Sequence, residues 1–186
     1  GALDGLAGSI RLMLVPAEEL IEIEYRESLR EQGIIRYYGG KLEFMHRGYL
    51  DDVDLAFMIH TSSDDSADFA CNSSNNGCVA KRVIYQGVGA HAGGSPHLGV
   101  NALYAAQTGM QAVNALRETF REEDHIRVHP IITAGGSSVN IIPAEVKLES
   151  YVRGASMASI LAANFKVNRA LAAGAAALGA RAKIID

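Results

Sequence analysis

Two periods of hydrophobic and polar residues divide the second half of the chain into alternating strands and helices. Residues 78–86 set β-branched and aromatic side chains between polar ones, the two-residue alternation of a strand with one buried face. Residues 98–119 change to steps of three and four, through Leu103, Ala106, Met110, Val113, Leu116 and Phe120. That spacing predicts a helix with a single core face and makes Met110 a core residue. Strand periodicity returns over residues 126–133 and again over 145–153, where Val146, Leu148 and Val152 alternate against Lys147, Glu149 and Arg153. Gly135, Gly136, Ser137 and Ser138 form a turn between the two. Ser156 then caps an alanine-rich helix whose inner face carries Ile160, Ala163, Val167, Leu171 and Leu178. Gly179 ends that helix, and residues 181–185 make a last strand. The order β-α-β-β-α-β predicts a ferredoxin-like α+β domain, an antiparallel sheet with both helices on one face.

The first third has a different grain. Residues 9–15 (SIRLMLV) and 53–59 (VDLAFMI) are almost continuously apolar, as strands buried on both faces of a helix-covered parallel sheet would be. The first run ends in Glu18-Glu19 and the second in His60. Adjacent carboxylates past the end of a buried strand sit where α/β sheets place ligands, and they equally suit the opening of the next helix. His60 reads as a ligand or as a solvated strand-end residue. Glu and His together are the donors of a hydrolytic zinc or manganese site. Residues 22–32 are charged at helical spacing, predicting an exposed helix ended by Gly33, and a second short helix follows over 41–48. Residues 61–77 read as a polar linker whose Asp64, Asp65 and Asp68 miss the calcium-loop pattern.

One loop joins the first predicted strand of the second half to its helix. It carries His91 and His97 among Gly87, Gly89, Gly93, Gly94, Pro96 and Gly99, so neither helix nor strand runs through it. So sharp a bend brings backbone N–H groups close to any occupant and projects His91 from a strand-to-helix junction. A solvated histidine on a surface loop is the other reading of the same residues.

Composition narrows the function classes. A chain 48% hydrophobic and 20% charged has the material for a core, and its net charge of -4 gives no electrostatic case for nucleic acid or an anionic membrane. The strands lack the aromatic pairs that stack RNA bases. No apolar run has the length of a membrane span, and the first ten residues lack a signal peptide's layout. The expectation is a cytoplasmic protein with Cys71 and Cys78 as reduced thiols.

Four segments carry a specific likeness: GSIRLMLVPAEE, DDVDLAFMIH, GVGAHAGGSPHLGVNAL and GGSSVNIIPAEVKLESYVRG. In order and spacing the chain resembles the dinuclear-metal amidohydrolases and metallopeptidases of the aminoacylase, glutamate carboxypeptidase and p-aminobenzoyl-glutamate hydrolase superfamily. The resemblance implies part of a catalytic α/β zinc-peptidase domain over residues 1–76, then a ferredoxin-like lid over residues 77–186 that forms a homodimer. It implies Glu18 as general base, Glu19 and His60 as metal ligands, and His91 as a lid histidine reaching across the dimer to the scissile carbonyl. Asn140 and Arg153 resemble lid residues that hold the substrate's carboxylate. The implied cofactor is a pair of divalent ions, zinc or manganese. The implied substrate is a small amide next to a free carboxylate (an N-acyl amino acid, a dipeptide or aminobenzoyl-glutamate), cleaved by metal-activated water. The residue types suit these roles: a base beside a ligand, a donor aimed at a developing oxyanion, and a planar arginine fork for a carboxylate.

The family's His-x-Asp ligands, expected upstream of the glutamate pair, and its final histidine are not among these residues. The resemblance therefore makes the chain an internal part of a longer enzyme, with Glu19 and His60 an incomplete metal site. A reading of another class is a non-catalytic dimerisation and binding module. An HxD motif upstream in the parent reading frame separates the two.

Overall fold

Most of the elements that periodicity predicts appear in a computed structural model, which describes residues 5, 7–16, 18–61, 68–69, 71 and 74–186. The chain forms two compact units, Gly1–Ser66 and Ala67–Asp186.

The first unit carries two short helices, α1 (Ile23–Glu31) and α2 (Gly40–His46). Gly33 ends α1 in the left-handed region at φ 72°. There the N–H groups of Gly33 and Ile34 return to the carbonyls of Arg30 and Leu29 at 3.0 and 2.9 Å, satisfying acceptors that the helix leaves open. The charged helix is not wholly solvated, contrary to expectation: Ile23, Arg26 and Glu27 are buried. Arg26 Nη1 donates to the Tyr38 carbonyl at 3.0 Å and Nη2 to the Glu19 carbonyl at 2.5 Å. Glu27 accepts from the Tyr38 hydroxyl and, at 3.2 Å, from Arg30. Charges tolerate burial when hydrogen bonds replace their water, and here they do.

A second correction concerns the two apolar runs. Among the described residues of this unit neither run forms a strand, and Ile10, Leu12, Leu14, Leu55, Phe57 and Ile59 are exposed, Phe57 to 91%. A strand buried on both faces needs ladder partners at its edges and cover above and below. Two short helices cannot supply that cover. The predicted linker, including Asp64 and Asp65, lies largely outside the described residues; Asp68 is described and exposed.

The second unit contains β1 (Gly77–Gln86), β2 (Ala90–His91), α3 (Ala102–Ala115), β3 (Arg127–Ala134), β4 (Ile141–Ile142), β5 (Glu145–Gly154), α4 (Met157–Ala177) and β6 (Arg181–Ile185). Its main sheet runs β3-β5-β1-β6, and every neighbouring pair is antiparallel. This is the ferredoxin-like order that the β-α-β-β-α-β sequence predicts. Alternate residues of the two central strands (Val83 and Tyr85; Val146, Leu148 and Val152) are buried with Val113 of α3 and Ile160, Val167 and Leu171 of α4. Ser156 caps α4 as expected, accepting from the Ser159 N–H at 3.2 Å.

The inner line of α3 differs from expectation. Ala102, Ala105, Ala106, Gly109 and Val113 are its buried residues, while Leu103, Met110, Leu116 and Phe120 are only partly buried. The cause is the approach of the two helices. A Cβ on Gly174 of α4 would meet the Ala105 carbonyl oxygen at 2.6 Å and collide with the backbone of Gly109. Contact that close selects small residues for the innermost line and moves the large ones to its flanks. Lys81 is the one buried lysine of β1, paired with Asp186, whose other carboxylate oxygen accepts from Asn164 at 2.7 Å and Asn168 at 2.8 Å. Burial lowers the Lys81 pKa, against the raising effect of Asp186.

Candidate functional site

Chemistry-bearing residues gather in two places, one in each unit. In the first, Glu18, Glu19 and His60 each offer a ligand atom within 4.8 Å of the others, and all three are exposed. The His60 Nδ1 is 2.7 Å from the Thr61 carbonyl oxygen, a bond it makes as a donor, which leaves Nε2 as the free lone pair. Glu18 accepts from Lys41 Nζ at 2.6 Å. That hydrogen bond, then the ammonium charge, holds the Glu18 carboxyl below its usual range. The Glu19 carbonyl is fixed by Arg26. The glutamate pair is thus braced by a lysine and an arginine that the sequence did not single out. Their contacts span 23 and 7 positions, so no local spacing marks them.

Two carboxylates and an imidazole nitrogen are the oxygen and nitrogen donors that a zinc or manganese ion accepts. The donor set fits a divalent ion at Glu19 and His60, with Glu18 beside them.

The second place is the loop that β2 and β4 build. These strands pair antiparallel, setting His91 opposite Ile141, and the Ala92 N–H donates to the Asn140 carbonyl at 2.9 Å. His91 and Asn140 are brought together by this small ribbon. The His91 Nδ1 accepts from the Gly94 N–H at 2.8 Å and the Gly93 N–H at 3.2 Å. The Ser138 hydroxyl donates to Asn140 Oδ1, and the Nδ2 hydrogens are the donors of that amide. A cleft of about 470 Å³ adjoins them, lined among others by Ala92, Asn101, Tyr104, Ser138 and Pro143.

Arg153 is not with them. It pairs with Cys78 and Arg127 at the far end of β5, while Glu145 at the near end pairs with Gln86. At about 3.3 Å per residue the strand carries Arg153 on the order of 25 Å away from the end where β4 enters. Its guanidinium lies over the Tyr151 ring, 5.2 Å from the centroid. His97 lies in the 3₁₀ turn Pro96–Leu98. Cys71 and Cys78 are exposed free thiols. Among the described residues no helix is long and apolar enough to cross a membrane.

The profile of the M20 peptidase dimerisation domain matches residues 74–182. The Xaa-Arg dipeptidase of Mus musculus is 33% identical over 141 residues, covering 76% of this chain and 31% of that protein. A p-aminobenzoyl-glutamate hydrolase polypeptide of Escherichia coli K12 is 30% identical over 148 residues, covering 74% of this chain and 29% of that protein. An aminobenzoyl-glutamate utilization protein from Klebsiella pneumoniae superposes with a TM-score of 0.53 at 30% identity, over 57% of this chain and 27% of that one. The chain spans about a third of the length of the relatives it matches.

Proposed function

The chain belongs to the M20 peptidase family, whose dimerisation domain it carries, and on that premise we propose that its parent is a metal-dependent amidohydrolase. The bond cleaved is an amide next to a free carboxylate, as in an N-acyl amino acid, a dipeptide or aminobenzoyl-glutamate. The relatives named above include a dipeptidase and an aminobenzoyl-glutamate hydrolase, both hydrolases of such bonds by name. The observation that carries the reading is the convergence of Glu18, Glu19 and His60.

Each residue's part follows from its own surroundings. Glu19 and His60 would hold a divalent ion, one of two in the parent, zinc or manganese, with further ligands from outside this chain. When bound, such an ion makes water more acidic and polarises a carbonyl. Glu18, held ionised by Lys41, accepts the proton of the attacking water and passes it to the leaving amine. His91 donates to the carbonyl oxygen as negative charge develops there. Asn140 offers its Nδ2 hydrogens to the substrate carboxylate. Arg153, a strand's length from His91 and Asn140, cannot hold the same small substrate as they do from within one chain. In a homodimer formed through the lid, Arg153 serves the carboxylate of a substrate whose carbonyl is met by His91 of the second copy. The family description supports dimerisation through this unit.

Chelation tests the metal-dependent reading. The parent protein, assayed on an N-acetyl amino acid, should lose activity after dialysis against a strong chelator and regain it on adding zinc or manganese. Full activity after the metal content has fallen well below one equivalent would refute it.

A further inference from the structure

The turn after His91 points its amide hydrogens back at the imidazole ring. Nδ1 accepts two of them, from Gly94 and Gly93. A ring nitrogen that accepts carries no proton, and neutral imidazole has only one N–H, so that proton resides on Nε2. Rotating the ring by half a turn would set Cδ2 against both donors and leave them without an acceptor. The turn is itself held in place: the Ser95 N–H donates to the His91 carbonyl at 3.1 Å, and the Ala92 N–H is tied to Asn140. A Cβ added to Gly94 would lie 3.4 Å from Nδ1, an ordinary contact. What this position contributes to the ring is therefore its N–H.

We propose that the backbone amides of Gly93 and Gly94 are positioning groups that fix His91 as the Nε2–H tautomer, making it an obligate hydrogen-bond donor at Nε2. The inference rests on the amidohydrolase reading for its consequence: His91 serves the carbonyl oxygen, and proton removal from water falls to Glu18. The opposite tautomer would turn a lone pair towards the developing oxyanion and oppose the reaction.

Nitrogen NMR on the 186-residue chain, labelled with ¹⁵N in histidine and glycine, tests it at about pH 8, above the ordinary histidine range. His91 is assigned by the signals lost in His91→Gln. Nδ1 should resonate as an unprotonated, hydrogen-bonded nitrogen and Nε2 as a protonated one. A scalar coupling across the hydrogen bond should link the Gly94 amide nitrogen to Nδ1. Gly94→Ala keeps the N–H and should keep this pattern, whereas Gly94→Pro should lose the coupling and shift population towards the Nδ1–H form. A wild-type ring protonated on Nδ1, or divided evenly between tautomers, overturns the proposal even if the proline variant does not fold. The measurement needs no turnover, so it fails independently of the hydrolytic reading, which parent-enzyme kinetics tests.

Discussion

Glu43 shows how strongly single residues shape the first unit. One carboxylate oxygen accepts from the Arg36 and Tyr37 N–H groups at 2.9 and 3.1 Å, and the other from Arg47 Nε at 2.7 Å. The Arg36 amide contributes most, and with Arg47 and Tyr37 it outweighs desolvation and lowers the carboxyl pKa from 4.5 to about 2. A carboxyl whose pKa is depressed on folding stabilises the fold above its unfolded value and loses that contribution as pH falls through the folded one. Wild type should therefore exceed Glu43→Gln in urea midpoint at pH 6, with the gap narrowing below pH 4.5 and nearly closed by about pH 2. An equal gap at pH 6 and pH 2.5 would show that Glu43 contributes by packing alone. Glu18, Glu19 and His60 were legible as candidates because they close two apolar runs. Arg26 and Lys41 were not, since a main-chain carbonyl and a carboxylate distant in sequence define their roles. Asn140 and Arg153 lie 13 positions apart, which says nothing of the straight strand that carries one away from the other.

At the scale of elements, strands with one buried face were legible because two-residue alternation survives wherever one side meets helices and the other does not. β1 and β5 begin or end within a residue of their predicted limits. The runs over residues 9–15 and 53–59 carry the pattern of sheet interiors, yet pattern alone does not provide the neighbouring strands. The inner line of α3 was misread because periodicity favours large residues, while the packing of α3 on α4 favours the smallest. That packing predicts a strong position effect. Gly174→Val should destabilise the second unit by at least ~1–3 kcal/mol, the usual cost of overpacking, because backbone rather than a flexible side chain stands in the way. Ala173→Val on the exposed side of the same helix should cost only a few tenths of a kcal/mol, about the difference in helix propensity. Equal losses in chemical denaturation would mean that the two helices do not approach as closely as described.

For the whole molecule, assembly follows from the edges of the sheet. β6 is a short edge bearing Arg181 and Lys183, features that discourage pairing. β3 is longer and exposes Ile131 to 59%, so it is the edge more open to a second copy. Sedimentation should show a dimer at on the order of tens of micromolar, a range that captures moderate interfaces, and Ile131→Lys should weaken it; a wild-type monomer throughout that range would count against the lid as the dimerising unit. Above all, we propose that the parent cleaves an amide beside a carboxylate with His91 acting on the carbonyl. Steady-state kinetics of the full-length parent and its His91→Ala variant decide this, run on an N-acetyl amino acid and on the same compound with its carboxylate amidated. The amidated compound should be a poor substrate for the wild type. On the acid, His91→Ala should lower kcat about a hundred- to a thousand-fold, the usual effect of removing an oxyanion donor, with a smaller change in KM. Equal turnover of acid and amide would contradict recognition of the carboxylate, and a His91→Ala variant with wild-type kcat would contradict the role given to His91.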